Sequence, residues 1–238
     1  LYTRSKKRGS VERILKILVG HGAVKDIMID AHPHIGTNKL PKIIAKMREN
    51  ILACGGEMHF DCRVEDLIIK GIKIEGVIDQ NKNKIFGQSV ILATGHSARD
   101  IFHLLNRHKI HIEAKSFALG VRIEHPQPII DRAQYHCNIR SKYLPAASYK
   151  FVQQVNGKGV FSFCMCPGGH IVPSATEPGE VVVNGMSAST RSSRYANSGM
   201  VVAIETEDLQ AYTHHGALAG LIFQQEMEKM AWEAGGKT

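Results

Sequence analysis

The pattern of apolar and polar positions predicts short helices alternating with strands. Apolar residues recur at intervals of three or four within residues 10–20 and 38–55, which is the spacing of an amphipathic helix. Ser10 and Asn38 stand where these helices would begin, and we expect their side chains to cap the first free backbone N–H groups. Short apolar or β-branched runs predict strands at residues 27–30, 57–61, 63–69, 73–78 and 84–87.

The central feature of the pattern is residues 89–100, which read Ser-Val-Ile-Leu-Ala-Thr-Gly-His-Ser-Ala-Arg-Asp. Residues 90–93 predict a buried strand of the parallel kind, and Thr94-Gly95 ends it with a turn. Ser97 is expected to cap a helix that follows. Such a turn lies at the carboxyl edge of a sheet, where open α/β folds bind ligands. The alternative is an ordinary turn between a strand and a helix, with no ligand.

The second half of the chain has more strand character. An Asn156-Gly157 turn between two strand-like runs predicts a β-hairpin. Residues 187–199 are polar and without apolar period, which predicts a long loop. The remaining predicted elements are a strand at 114–125, a helix from Pro126 to Tyr135, strands at 180–184 and 201–204, and a helix at 215–234. The change of pattern near residue 113 predicts a domain boundary there.

Composition narrows the class of protein. The 238 residues are 43% hydrophobic and can bury a sizeable core. No apolar run approaches the roughly 18 residues of a membrane span, and no leader opens the chain, so we expect neither a membrane partner nor export. Five cysteines, odd in number and irregularly spaced, favour reduced thiols and a cytoplasmic location.

The net charge of +8 is basic, but the basic residues are dense only within residues 4–8. Nucleic-acid binding needs such charges concentrated on one face, so we expect no nucleic-acid partner. Residues 4–8 are interpreted as a solvated loop or as a phosphate or carboxylate contact near a cofactor. The alternative function for the whole chain is a non-catalytic basic module that binds a protein or nucleic-acid partner.

An ordered set of motifs points to a known family. After a helix, the run CGGEMHFDCRVEDL, a small meander and VILATG follow one another. The flanking motifs are LYTRSKKRG, DAHPHIGTNKLP, ATGHSARDIF, FALGVRIEHPQ, YLPAASY and FCMCPGG. From Leu1 to Thr238 the chain resembles bacterial uncharacterised FAD-dependent dehydrogenases, two-dinucleotide-binding-domain flavoproteins with an inserted substrate domain.

The resemblance implies a fold, a function and a cofactor. Residues 1–113 would be part of a Rossmann-like α/β FAD-binding domain, and residues 114–238 an inserted α+β substrate or cap domain. The function implied is that of an oxidoreductase passing hydride between a small unidentified substrate and the flavin. The Gly-x-Gly-x-x-Gly motif that holds a pyrophosphate is absent from this sequence. We therefore expect an internal fragment of a longer flavoprotein, and whether it binds FAD without that motif is open.

The resemblance also implies cofactor contacts. The backbone of Val64 would lie against the adenine, and Val64 as a plain core residue is the alternative. The turn formed by Ala93, Thr94 and Gly95 would approach the cofactor, as would Gly168 and Gly169 in a loop over the flavin ring.

Candidate chemistry beyond the cofactor centres on Cys164-Met-Cys-Pro-Gly-Gly-His170. Cys166 could be a thiol acting beside the flavin, part of a weak Cys-x-Cys…His metal motif, or a packed small residue at a strand end. The resemblance implies that the loop of His32 and His34 comes near the flavin and the substrate, so both are substrate candidates, and a polar loop with hydrogen-bonded imidazoles is the alternative. Because no third ligand accompanies them, we predict no metal site. In the long polar loop, Arg191, Arg194 and Asn197 could hold an anionic substrate or lie on a plain surface loop.

Overall fold

A computed structural model describes residues 9–30 and 32–237. The basic segment 4–8 lies outside the described residues. The α-helices are α1 Val11–Gly20, α2 Leu40–Ala53, α3 Arg99–Arg107, α4 Gln127–Tyr135 and α5 Ala219–Ala234, with 3₁₀ helices at Lys25–Met28 and Thr206–Leu218. The strands are β1 Val64–Lys70, β2 Lys73–Asp79, β3 Lys84–Phe86, β4 Phe117–Pro126, β5 Val152–Val155, β6 Lys158–Cys166, β7 Gly169–Pro173, β8 Val183–Ser187 and β9 Tyr195–Ile204.

The chain forms two compact units that interleave in sequence. Unit 1 takes the residues up to Met58, with Ala118–Ser174 and Val182–Ala203. Unit 2 takes His59–Phe117, Ala175–Val181 and the residues from Ile204 onward. The combination of helices and sheets confirms the predicted mixed α/β content.

Unit 1 packs a small helical core and carries a four-stranded sheet. Ala23, Ile27 and Ile43 are buried together, with α1 and α2 supplying most of the residues around them. The sheet has the order β4-β9-β6-β5, and its β6–β9 and β5–β6 pairs are antiparallel. β7 and β8 form a separate antiparallel pair.

Unit 2 contains the antiparallel sheet β1-β2-β3 and the helices α3 and α5. Ile101 and Leu104 form the buried face of α3. At the start of the same helix, Arg99 donates to two buried carboxylates, to Glu180 over 2.6 Å and to Glu228. This three-residue ion cluster joins α3, the segment Ala175–Val181 and α5.

Several predicted elements are confirmed. The side chain of Ser10 accepts from the Arg13 backbone N–H and caps α1. The helix after Pro126, the strands β1 and β2, and the hairpin of β5 and β6 lie where the pattern predicts them. The hairpin turn is formed by Asn156 and Gly157, both with positive φ.

The predicted buried strand at residues 90–93 is wrong. Residues 88–95 have no regular secondary structure, and Ile91 is 90% exposed. A strand needs a hydrogen-bonded neighbour for its backbone. No described strand lies beside this segment, so its apolar composition alone does not make it a strand.

Four local predictions also need correction. Residues 27–30 lie in and beyond a 3₁₀ helix, because Ile27 turns into the core of unit 1, and residues 57–61 are irregular. Ser97 does not cap α3, whose N-cap is Ala98. Asn38 does not cap α2, since its side chain bonds to Ser189 instead.

The predicted long loop at 187–199 is shorter in the structure. β9 begins at Tyr195, because its residues pair with β6 in the middle of the sheet. The irregular part is residues 188–194, which we call the arginine loop. Among the described residues, no helix combines the length and apolar character needed to cross a membrane.

Candidate functional site

The predicted site residues fall into two groups, one in each compact unit. Unit 2 holds the predicted cofactor contacts Val64, Ala93, Thr94 and Gly95. Unit 1 holds the predicted substrate and flavin-ring contacts His32, His34, Cys166, Gly168, Gly169, Arg191 and Arg194.

In unit 1, the residues that precede α2 contact the arginine loop through hydrogen bonds and close backbone packing. His34 Nε2 lies 3.0 Å from the carbonyl oxygen of Ala188, which makes Nε2 the protonated nitrogen. Burial, the largest effect, lowers the pKa of His34, so its imidazole is neutral at neutral pH. His32 is exposed.

Gly36 and Asn38 also contact the arginine loop, at Ser189. A Cβ on Gly36 would lie 2.2 Å from the backbone nitrogen of Ser189, so only glycine permits the close approach. Asn38 accepts from the Ser189 backbone N–H over 2.9 Å and donates to the Ser189 hydroxyl over 3.3 Å. The arginine loop is therefore held from one side by residues 34–38.

Gly168 holds the arginine loop from another side. Its φ is +53°, and a Cβ there would lie 1.8 Å from the carbonyl oxygen of Arg191. The Gly168 carbonyl accepts from the Ser193 N–H over 3.3 Å. A Cβ on Gly169 would likewise lie 2.4 Å from the Met186 carbonyl oxygen. Both glycines are buried and bring the chain close to itself.

A buried polar network supports Gly168. Gln127 accepts from the Gly168 N–H over 2.8 Å, so that N–H is not free for a flavin. Gln127 in turn donates to Asp131 over 2.8 Å, and Asp131 accepts from the Ala147 N–H and from Arg140. These bonds fix which end of the Gln127 amide faces Gly168. Sequence reasoning missed Gln127 and Asp131, whose only signal is polar residues on an otherwise apolar helix face.

Arg191 is held in the left-handed region, with φ at +48°. Its side chain is half-buried, and its Nε is buried without a hydrogen-bond partner among the described residues. Burial is the largest effect on this guanidinium and lowers the pKa of Arg191, while Cys166 and Asp30 oppose the shift. A buried guanidinium N–H without a hydrogen-bond acceptor is unusual in a folded protein.

Cys166 lies beside Arg191 at the end of β6. A bulge between Phe163 and Cys166 breaks the alternation of the strand, so Cys164 is exposed and Cys166 is half-buried. The Cys166 thiol donates to the carbonyl oxygen of Cys164 over 3.4 Å. Burial raises the pKa of Cys166 in spite of Arg122 and Arg191, so the sulfur keeps its proton at neutral pH.

Asn197 lies beside Cys166 on the neighbouring strand β9, as its register partner. It is fully buried, and its Oδ1 accepts from Arg122 Nη1 over 2.6 Å. Its Nδ2 has no partner among the described residues. Arg122, which also donates to the Cys164 carbonyl, was missed by sequence reasoning because a charged residue in an alternating strand predicts an exposed face.

Arg194 does not join this cluster. Its side chain is exposed and lies over the ring of Tyr195, 5.3 Å from the ring centroid. Arg191 and Arg194 share the loop but differ in environment, which makes Arg194 a natural control for Arg191.

In unit 2, Val64 lines an open pocket of about 360 Å³, within the range of small-molecule sites. Its lining includes Ile101 and Leu104 from α3, with charged side chains around them. Arg63 donates to Asp100 over 3.0 Å at the edge of the pocket. The pocket therefore combines apolar walls with a rim of paired charges.

The predicted turn at Ala93, Thr94 and Gly95 leads into α3, the helix that lines the pocket. All three residues are exposed. Gly95 has φ of +75°, and no atom lies within 4 Å of the position of a Cβ. The backbone of this turn is therefore open to a ligand, in contrast to Gly168 and Gly169.

Within 9–30 and 32–237, no group of three or more His, Cys, Asp or Glu side chains is placed to hold a metal ion.

Comparison with known proteins gives two matches. The profile of a family described as "FAD-dependent protein, C-terminal domain-like" matches residues 116–238. A protein of Clostridium beijerinckii, described as "Uncharacterized protein", is 39% identical over 225 residues. That alignment covers 94% of this chain and 42% of the relative, so the chain spans less than half of the relative's length.

Proposed function

The chain belongs to the family of FAD-dependent proteins with this C-terminal domain, and from this membership we propose that it is part of a FAD-dependent oxidoreductase. The reaction we propose is a dehydrogenation that passes hydride between a small substrate and the flavin. The family match over residues 116–238 is the observation that carries this proposal. No family match supports the alternative function, a non-catalytic basic module that binds a protein or nucleic-acid partner.

The residues of unit 2 fit the nucleotide end of FAD. The open backbone at Gly95 and the pocket beside Val64 share α3, so one helix positions both. We propose that Val64 and the pocket walls hold the adenine. Ala93, Thr94 and Gly95 would then bring bare backbone N–H groups to the cofactor. When bound, the flavin ring supplies the hydride chemistry.

The residues of unit 1 suit the substrate. We propose that Arg191 binds an anionic group and that neutral His34 keeps the arginine loop in place through Ala188. Cys166 would act as a protonated thiol rather than a thiolate, because burial raises its pKa. Gly168 and Gly169 would contribute to the cofactor site indirectly, by fixing the shape of the arginine loop. Their close contacts are with other residues of the chain.

The domain assignment is part of the same proposal. Residues 1–113 would contribute to a Rossmann-like FAD-binding domain, and residues 114–238 to an inserted α+β substrate domain of a longer protein. The five cysteines are free, which suits the reducing conditions of a cytoplasm.

Anaerobic flavin reduction tests the proposed reaction. The longer Clostridium beijerinckii relative, purified and loaded with FAD, would be mixed with NADH, NADPH and a panel of small reduced organic acids and amines in separate arms. We expect at least one donor to bleach the flavin band near 450 nm in the range of enzymatic turnover, about 1 s⁻¹ or faster. A flavin that dithionite reduces but no donor in the panel reduces would contradict dehydrogenase activity.

A further inference from the structure

Two buried N–H donors near Cys166 have no acceptor among the described residues. They are Nε of Arg191 and Nδ2 of Asn197. Asn197 is fully buried and Arg191 is half-buried. Both donor atoms are themselves enclosed, so an acceptor reaches them only when the partly exposed Arg191 side chain moves.

Unpaired donors of this kind are rare in folded proteins, because each loses its bonds to water and gains nothing in return. For a guanidinium the loss is larger, since the charge is also taken from water. No carboxylate of the described residues lies within 4.0 Å of Arg191. A ligand that brings acceptor oxygens would restore the missing bonds.

The orientation of the Asn197 amide follows from its neighbour. Arg122 can only donate, and it lies 2.6 Å from one end of the amide, so that end is the oxygen. The other end is therefore the NH₂ group, which has no acceptor. Asn197 is thus set as a donor by a contact within the protein.

Cys166 connects the two donors. It is the register partner of Asn197 in the sheet, and it interacts electrostatically with Arg191. The backbone around Arg191 is held by Gly168 on one side and through Ala188 by His34 on another. The donors are therefore presented by a preformed framework, which lowers the cost of binding.

We propose that Arg191 and Asn197 bind a carboxylate of a small organic acid beside Cys166. A carboxylate matches the arrangement because its two oxygens accept from separate N–H donors. Asp30 interacts with Arg191 and offsets part of its charge, and Nη1 of the neighbouring Arg122 is taken by the Asn197 and Cys164 oxygens. A singly charged carboxylate is therefore favoured over a doubly charged phosphate. Only the identification of this acid with the substrate depends on the proposed function.

The test observes the two side chains directly by nuclear magnetic resonance, without flavin. The 238-residue chain, labelled with ¹⁵N, would be titrated with sodium acetate against sodium chloride at matched ionic strength. We expect the Nε–H signal of Arg191 and the side-chain NH₂ signals of Asn197 to shift saturably, with a dissociation constant on the order of 1 mM for so small a probe. Chloride should cause no saturable shift.

Substitutions in the arginine loop test whether the acetate binds at Arg191. In R191Q the acetate affinity followed at Asn197 should fall at least about tenfold, whereas R194Q, in the same loop, should bind acetate like the unmodified chain. R191K keeps the charge and serves if R191Q does not fold, with binding weakened but present.

Three outcomes would overturn the proposal. These are no saturable shift with acetate, an equal shift with chloride, or tighter binding of inorganic phosphate than of acetate in a parallel titration. Because no flavin is present in this titration, acetate binding by the chain together with a longer relative that stays colourless after incubation with excess FAD would refute the cofactor proposal alone. FAD binding without acetate binding would refute this inference alone.

Discussion

A Cβ atom on Gly168 would lie 1.8 Å from the carbonyl oxygen of Arg191. Both residues have positive φ, +53° for Gly168 and +48° for Arg191. Left-handed backbone at a residue other than glycine costs free energy and is kept where the surroundings require it. The contact therefore couples two motifs far apart in sequence, the Pro-Gly-Gly turn and the arginine loop.

Replacing Gly168 tests this contact. G168A adds a clash with the Arg191 carbonyl to the strain of positive φ, and we expect it to lower the free energy of unfolding by about 3 kcal/mol. G157A is the matched control, because Gly157 has φ of +78° and no atom within 4 Å of its Cβ position. It should cost about 1 kcal/mol, the strain alone. Urea denaturation of both variants measures the difference, and equal losses would show that Gly168 makes no critical contact.

The ion cluster of unit 2 gives a second prediction. Arg99 is 11% exposed at its side chain and pairs with Glu180 and Glu228, which are 1% and 8% exposed. R99Q leaves two buried carboxylates without a cation, and we expect a loss of about 3–5 kcal/mol in unfolding free energy.

R63Q is the control for R99Q, since Arg63 pairs with Asp100 at the surface. Exposed pairs contribute little, so this change should cost less than about 1 kcal/mol. Thermal and urea unfolding of the two variants would be compared side by side. A cost for R99Q as small as that for R63Q would mean that the cluster does not hold α3 to α5.

The environment of Asp131 predicts how the free energy of unfolding depends on acid. Burial alone would raise the pKa of Asp131, but hydrogen bonds from Ala147, Gln127 and Arg140 outweigh it and lower the pKa. The folded state therefore binds this proton less readily than the unfolded state, whose ordinary value is about 3.9. The resulting stabilisation is complete above that value and is lost as the pH falls through the lowered folded value.

D131N removes this titration. Unfolding free energy measured between pH 7 and pH 2.5 should fall less steeply with acid in D131N than in the unmodified chain, whatever its level at neutral pH. Identical acid slopes would show that the Asp131 network does not depend on the charge of the carboxylate.

The turn at Gly95 tests the nucleotide end of the proposed site. G95V places a branched side chain in the open space at this turn, and we expect FAD affinity to fall at least about tenfold. Gly71 is the matched control, because it has φ of +61° and no atom within 4 Å of its Cβ position. G71V should carry the same backbone strain and leave FAD affinity unchanged. Fluorescence titration with FAD distinguishes the two, and equal affinities in G95V and G71V would remove Gly95 from the site.

Local sequence signals predicted the local structure. The Ser10 cap, the Asn156-Gly157 hairpin and the helix after Pro126 each depend on residues a few positions apart, and each was confirmed. The segment 90–93 failed because strand formation depends on a partner strand, which an apolar run does not supply. Asn38 failed as a cap because Ser189, distant in sequence, takes its side chain.

The candidate site shows the same difference between signals from nearby residues and contacts between residues distant in sequence. His34, Cys166 and Arg191 were each predicted from their own motif, but nothing in the sequence showed that they meet around one loop. Their meeting depends on Gly36 and Gly168, where only a missing Cβ permits the contact. Arg122 could not be predicted, since its role follows from the position of Asn197 on a neighbouring part of the sheet.

The visible absorption spectrum is the most direct test of the central claim that this chain belongs to a FAD-binding enzyme. The 238-residue chain and the longer Clostridium beijerinckii relative would each be incubated with excess FAD, freed of unbound cofactor by gel filtration, and scanned. We predict that the relative elutes yellow with a protein-bound flavin spectrum, and that it loses FAD affinity when valine replaces the glycine aligned with Gly95. A relative that stays colourless after incubation with excess FAD would contradict the account.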